Sequence, residues 1–422
     1  MTVNRRRFIA GGAIATPLLA AGSVPATAAE TPREAQARRV TTGADFAAAD
    51  GWRSLSGRKL GVLSNPTGVL ANLGHVVDSM VAAGVKPVAA FGPEHGFRGS
   101  AQAGGSEGDY TDPRTGIAVY DAYGVDAPKL ASLFTKAGVD TVVFDIADVG
   151  ARFYTYIWSL YTAMVAAAKA GAAFVVLDRP NPLGGGVAGP VLDPAFASGV
   201  GRKPIAQQHG MTAGELARLF AGEFLPAEGV PPLELTVEQV RGWRRDAVFA
   251  RTGLKWTPPS PNMPTPDTAL VYPGTGMFEG TVFSEGRGTT RPFETIGAPG
   301  IDWRWREALG ESGLSGVDFR ETYFVPTFGK FAGETCGGVQ LAVTDPGSFD
   351  AIRTAVTMFV TAKRLHPDKF GWRPDHFIDK LSGSARLRTM VDAGADAGEV
   401  TGAWRDELAR FAHRRRQYLI YR

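Results

Sequence analysis

Between residues 59 and 237, short apolar runs alternate with stretches of helical spacing. The runs 59–64 (KLGVLS), 88–91 (VAAF), 141–146 (TVVFDI) and 173–177 (AFVVL) are apolar at nearly every position. That is the pattern of strands buried on both faces, not on one. Residues 75–83, 127–137 and 156–170 carry apolar side chains at helical spacing and stop at Gly84, Gly138 and Gly171, where glycine suits a helix end. Thr212-Ala213-Gly214-Glu215 is a capping box opening a helix through Phe220. Residues 119–120 and 233–237 add extended pieces. Strand and helix in alternation predict an α/β fold, a doubly wound and mostly parallel sheet covered on both sides.

The pattern changes at Trp256. Residues 256–299 are rich in Pro, Gly and Thr, too long a stretch for an ordinary connection and so read as functional. Beyond it, 323–327 and 338–344 read as strands and 349–365 as an amphipathic helix. A last helix, 403–416, ends in Arg414-Arg415-Arg416, which complements a helix C-terminus. This half is predicted to be a second, smaller α+β domain. The domains divide as 40–255 and 256–422, with 256–299 lining the cleft between them.

Residues 1–29 stand apart. Asn4-Arg5-Arg6-Arg7-Phe8-Ile9 precedes an uncharged run, 10–21, and then Ala26-Thr27-Ala28. This is the n-region, h-region and cleavage site of a signal peptide, and Arg-Arg-x-Phe-Ile fits a twin-arginine leader. The expected location is therefore periplasmic or extracellular. No later stretch reaches the ~20 apolar residues that a spanning helix needs, so no stable membrane insertion is expected after cleavage. Lys and Arg number 45 against 42 Asp and Glu, and the leader's arginines account for the whole excess. Nothing suggests a nucleic-acid surface. Cys336 is the only cysteine, which excludes an intrachain disulfide and reads as a buried, inert thiol.

The candidate chemistry sits where strands end. The predicted strands deliver Asn65; Glu94 with His95 and Arg98; Asp145, Asp148, Arg152 and Tyr154; and Asp178, Arg179 and Asn181. Open α/β sheets place their ligands at this edge. Glu94 is the expected general acid, partly desolvated by Gly92-Pro93 before it and Phe97 after it; an ion pair with Arg98 or Arg152 is the structural alternative. His95 and Asp148 are the other catalytic candidates. The long segment adds Asn262, Glu279, Glu285, Arg287 and Arg291, with arginine forks suited to a substrate carboxylate. No G-x-G-x-x-G follows the first strand, which weakens a dinucleotide reading. The six histidines are scattered without H-E-x-x-H and no G-x-S-x-G occurs, so neither a metal site nor a serine nucleophile is expected, and no cofactor.

With these residues assembled, FGPEHGFRG, FDIADVGARFYTYI, LDRPNPLGG, PPSPNMPT and YPGTGMFEGTVFSEGRGTTRPFE resemble the NamZ-type exo-β-N-acetylmuramidases, from about Leu60 to Arg422. The resemblance implies a Rossmann-like domain with a smaller C-terminal domain and a cleft between them. It implies release of N-acetylmuramic acid from peptidoglycan-derived muramyl saccharides, with Glu94 as the catalytic residue. A non-catalytic muramyl-sugar-binding protein using the same cleft is the alternative.

Overall fold

The structure, a computed structural model, describes residues 40–422; the expected leader lies outside the described residues. Nine strands in the first half are β1 (Leu60–Ser64), β2 (Ala89–Gly92), β3 (Tyr110–Thr111), β4 (Ala118–Asp121), β5 (Thr141–Asp145), β6 (Ala173–Leu177), β7 (Ala188–Val191), β8 (Ala206–Gln208) and β9 (Leu235–Glu238). Seven of them form one sheet in the order β3-β4-β2-β1-β5-β6-β9. All its pairings are parallel except that of the edge strand β3 with β4.

The two-sided burial read from the apolar runs has a plain cause in the pleat. Val142 and Phe144 of β5 join one core with Phe91, Phe134 and Phe174. Val143 points the other way and packs with Val62, Val175 and Met80. The helices Ala127–Lys136 and Tyr156–Ala170 cover the first face, and Gly43–Ala49 and Val76–Ala82 the second.

The second half contributes an antiparallel sheet of β10 (Thr295–Ala298), β12 (Cys336–Val343) and β11 (Val317–Phe324). The helix Ala351–Leu365 lies over a core of Phe278, Phe283, Trp305, Val339 and Phe359. Three departures from the predicted pattern appear here. The proline-rich segment contains a helix, Pro266–Thr275, capped by Thr265 with Pro266 in its first turn. The strand expected at 323–327 instead runs Val317–Phe324 and stops before Pro326. The C-terminal helix Arg405–Arg414 packs on the first half, since Phe411 belongs to the core beneath the large sheet.

Two features lock the halves together. Val149, Ala151 and Phe153, on the loop after β5, bury in the second core, while Tyr156 and Ile157 a few residues on bury in the first. Arg152 between them is fully buried and donates to the carbonyls of Pro190, Ile205 and Leu381. No carboxylate among the described residues pairs with it, and burial pushes its guanidinium down to about 9.

Candidate active site

From β1 the chain steps outward to β2 and β4, then crosses back to β5 on the other side of β1. The strand order therefore reverses between β1 and β5, which opens a crevice beyond their C-terminal ends. The loops there are laced together: Ser64 Oγ donates to the Asp145 carbonyl at 2.9 Å, and the Ala147 N–H to Thr67 Oγ1 at 2.8 Å. An open cleft lies over this point, walled by Thr67, Leu70, Asp148, Arg179, Trp256 and Pro259.

Glu94 stands one strand over, after β2. Its Oε1 accepts from the Gly104 N–H and its Oε2 from Thr155 Oγ1, both at 2.9 Å. The carboxylate is half-buried and pairs with no cation among the described residues. The apolar enclosure expected from Phe97 is not formed, because that ring is fully buried in the core, edge-on to His75. The structural alternative fails too. Arg98 is bidentate with Asp112 and also bonds Asp78, which hold its charge against the cost of burial, and Arg152 is the buried staple described above. Neither arginine reaches Glu94.

The loop bearing Glu94 is shaped by its neighbours. His95 adopts a left-handed backbone, φ 71°, and its Nδ1 lies 3.1 Å from the Ala101 carbonyl. Gly96 follows at φ 88°, where a Cβ would sit 2.2 Å from the Glu107 side chain, so only glycine fits. Glu107, which the sequence pattern did not single out, accepts from the N–H groups of Arg98 and Ser100 and from Tyr110 Oη. It thereby holds the loop that presents Gly104 to Glu94.

Asp148 lines the cleft and is 9 % exposed. Its Oδ2 accepts from the Gly150 N–H at 2.8 Å and lies 3.1 Å from His209 Nε2. His209 Nδ1 accepts from the Met211 N–H, so the ring proton sits on Nε2 and points at the carboxylate. Asp148 Oδ1 is buried and has no hydrogen-bond partner among the described residues. His209 comes from a loop 61 residues away, and no spacing signal links the two. Asp145, by contrast, is fully buried in a bidentate pair with Arg179 and braces the strand ends.

A row of tyrosines joins these groups. Tyr154 meets Tyr156 and Tyr272 edge-on at ring distances of 5.3 and 5.6 Å. Burial holds all three phenols well above their ordinary range, so they remain neutral O–H groups. Tyr156 Oη donates to the Pro259 carbonyl at 2.7 Å and lies beside the Asn65 amide. The charges of Glu94 and Asp148 both bear on Tyr272, as do Glu279 and Arg287.

The remaining candidates divide. Arg287 is committed to Glu279 at 2.7 Å and Glu285 at 3.3 Å, over the Phe293 ring. Burial pushes the Glu279 carboxyl up in spite of that arginine. Glu285 also faces Lys330 at 3.0 Å. Arg291 is half-exposed and pairs with Glu294. Asn181 spends its side chain on the Leu183 N–H and the Met211 carbonyl, and Asn262 is buried.

Against known proteins, residues 60–267 match the model of exo-β-N-acetylmuramidase NamZ, N-terminal, and residues 270–421 that of its C-terminal part. The chain belongs to the NamZ exo-β-N-acetylmuramidase family. The peptidoglycan β-N-acetylmuramidase NamZ of Bacillus subtilis is 42% identical over 415 residues, 97% of this chain and 99% of that protein. Two DUF1343-family proteins from Bacteroides fragilis share the fold at 31% identity, with TM-scores of 0.82 and 0.73. They cover 91% of this chain, and the match spans 100% and 99% of theirs. A NamZ-family glycosidase needs a proton donor and a second polar group around one anomeric carbon. Glu94 follows β2 and Asp148 follows β5, one on either side of β1 at the same edge of the sheet.

Proposed function

We infer that this NamZ-family enzyme releases N-acetylmuramic acid from the non-reducing end of peptidoglycan fragments, with Glu94 as the proton donor to the leaving oxygen. One observation carries the assignment of Glu94. It is the carboxylate of the GPEHG stretch, uncommitted to any described cation, positioned by Gly104 and Thr155 at the ligand-binding edge of the sheet. Its substrate polymer lies outside the cytoplasm, and the twin-arginine pattern of residues 5–9 supports export to that side. Arg287 is the cation proposed to hold the lactyl carboxylate.

The test is hydrolysis of a chromogenic β-N-acetylmuramide, beside the glucosaminide, by wild type and Glu94→Gln. The muramide alone should turn over, and the variant should lose about 10²–10⁴ in rate. A folded wild type that binds muramyl ligands without turnover would overturn the reading.

A further inference from the structure

Buried polar side-chain atoms without partners are costly, and a cluster of them calls for a missing ligand. Three lie at this edge of the sheet with no partner in hydrogen-bond geometry among the described residues: Asn65 Nδ2, which is beside the Tyr156 hydroxyl, Asp148 Oδ1 in the cleft wall, and Tyr154 Oη, whose oxygen faces the Ser260 hydroxyl and leaves its proton to donate. They supply a donor, an acceptor and a hydroxyl. Asp148 and Tyr154 sit on the same loop, and the Asp148 charge bears on the Tyr154 phenol. The rival carboxylates differ in kind, because Glu279 and Glu285 already face Arg287 or Lys330. Asp148 meets only the N–H groups of Gly150 and His209, and one of its oxygens has no partner among the described residues.

An unpaired acceptor beside an unpaired hydroxyl is the complement of a secondary amide. We propose that Asp148 Oδ1 accepts the N–H of the sugar's 2-acetamido group while Tyr154 Oη donates to its carbonyl oxygen, making that oxygen the nucleophile. The proposal rests on the muramidase reading above. The carbonyl oxygen attacks C1 as the C1–O bond breaks, and the departing electron pair takes the proton of Glu94. The positive charge on the resulting oxazolinium ring spreads to its N–H, where Asp148 stabilises it. Water then attacks C1 and gives a proton to Glu94, and the ring C1–O pair returns to the acetamide. Two inversions give net retention, and no protein nucleophile is needed.

Three measurements on the full chain test this. Proton NMR of the fresh product should show the β-anomer first. Across N-acetyl, N-fluoroacetyl and N-trifluoroacetyl muramides, kcat/KM should fall about 10²-fold or more, because the nucleophile itself is weakened. Asp148→Asn, which keeps the side chain's shape but turns the acceptor into a donor, should lose about 10²–10³ in kcat. It should also bind the muramic thiazoline, a stable analogue of the ring intermediate, roughly 100-fold more weakly. Tyr154→Phe should shift both in the same sense, and stands in if Asp148→Asn does not fold. An α-anomer first, or a flat fluoroacetyl series with active wild type, overturns the proposal and leaves the muramidase reading standing. No turnover of the muramide by wild type would instead remove the reading beneath it.

Discussion

The Thr155 hydroxyl donates to Glu94 Oε2 at 2.9 Å and so ties the loop after β2 to the entry of the helix Tyr156–Ala170. The bond crosses 61 positions of chain and fixes one oxygen of the proposed proton donor. Thr155→Val keeps the shape and removes the donor. A hydrogen bond that orients the neutral acid contributes about 0.5–1.5 kcal/mol, so kcat should fall roughly 2–10-fold. Steady-state kinetics on the chromogenic muramide, with an unchanged far-UV spectrum, would check it.

Arg287 serves two carboxylates, and its loss would be felt in stability as well as recognition. Arg287→Ala should destabilise the fold by about 2 kcal/mol, a value reduced for its partial exposure. The preference for the muramide over the glucosaminide should drop at least about tenfold, as expected if a charge-assisted contact to the lactyl group is removed. A variant that discriminates as well as wild type would exclude Arg287 as the lactyl-binding group.

His75 gives the fold an acid-sensitive point. It is buried, with Nδ1 accepting from the Val77 N–H and Nε2 facing the Asn65 carbonyl at 3.2 Å. Burial, helped by the Arg98 charge, pushes it down to about 4 from 6.5. The unfolded chain then binds the extra proton between those values. Its stabilisation is fully present above pH 6.5 and is lost as pH falls toward 4, about 3 kcal/mol in all. His75→Asn, which retains a capping acceptor, should show a shallower fall of Tm between pH 6.5 and 4 than wild type.

His209 acts through Asp148 as a positioning residue. His209→Ala should lower kcat about tenfold or more with KM little changed, since Asp148 loses one of its two described donors. His209→Gln restores an N–H near the same place and should recover part of the rate. A purely structural role predicts no such rescue, because both variants would cost stability alike.

The sheet was legible because its strands are buried on both faces, and a continuous apolar run survives any detail of packing. What escaped has physical reasons. β3 is two residues long, β7 is a short piece containing Gly189 and Pro190, and β8 is three residues long. The helix Pro266–Thr275 hides in proline-rich sequence, although Thr265-Pro266-Asp267 is a helix start in the right order. Asn65, Glu94 and Asp148 do follow the strands β1, β2 and β5 at one edge of the sheet. Arg98 and Arg152 were drawn away by partners far along the chain: Asp78 and Asp112 for the first, three carbonyls for the second. Which cation answers which carboxylate is decided in three dimensions. For the same reason His209, Thr155 and Glu107 carried no sequence signal of their own.

The C-terminal strand of events is set by the tail. Phe411 sits in the core beneath the large sheet with Tyr418 and Leu419 packed against it, and the Tyr421 hydroxyl reaches Asp178 at 2.5 Å, at the end of β6. The lobe begun at Leu60 therefore lacks part of its interior until the segment from Phe411 to Tyr421 has been made. Domains often fold in order of synthesis, but here the earlier lobe must wait for residues from beyond the second lobe. Removing that segment should open the core beneath the large sheet, so the nascent first lobe stays unfinished while the second is being synthesised.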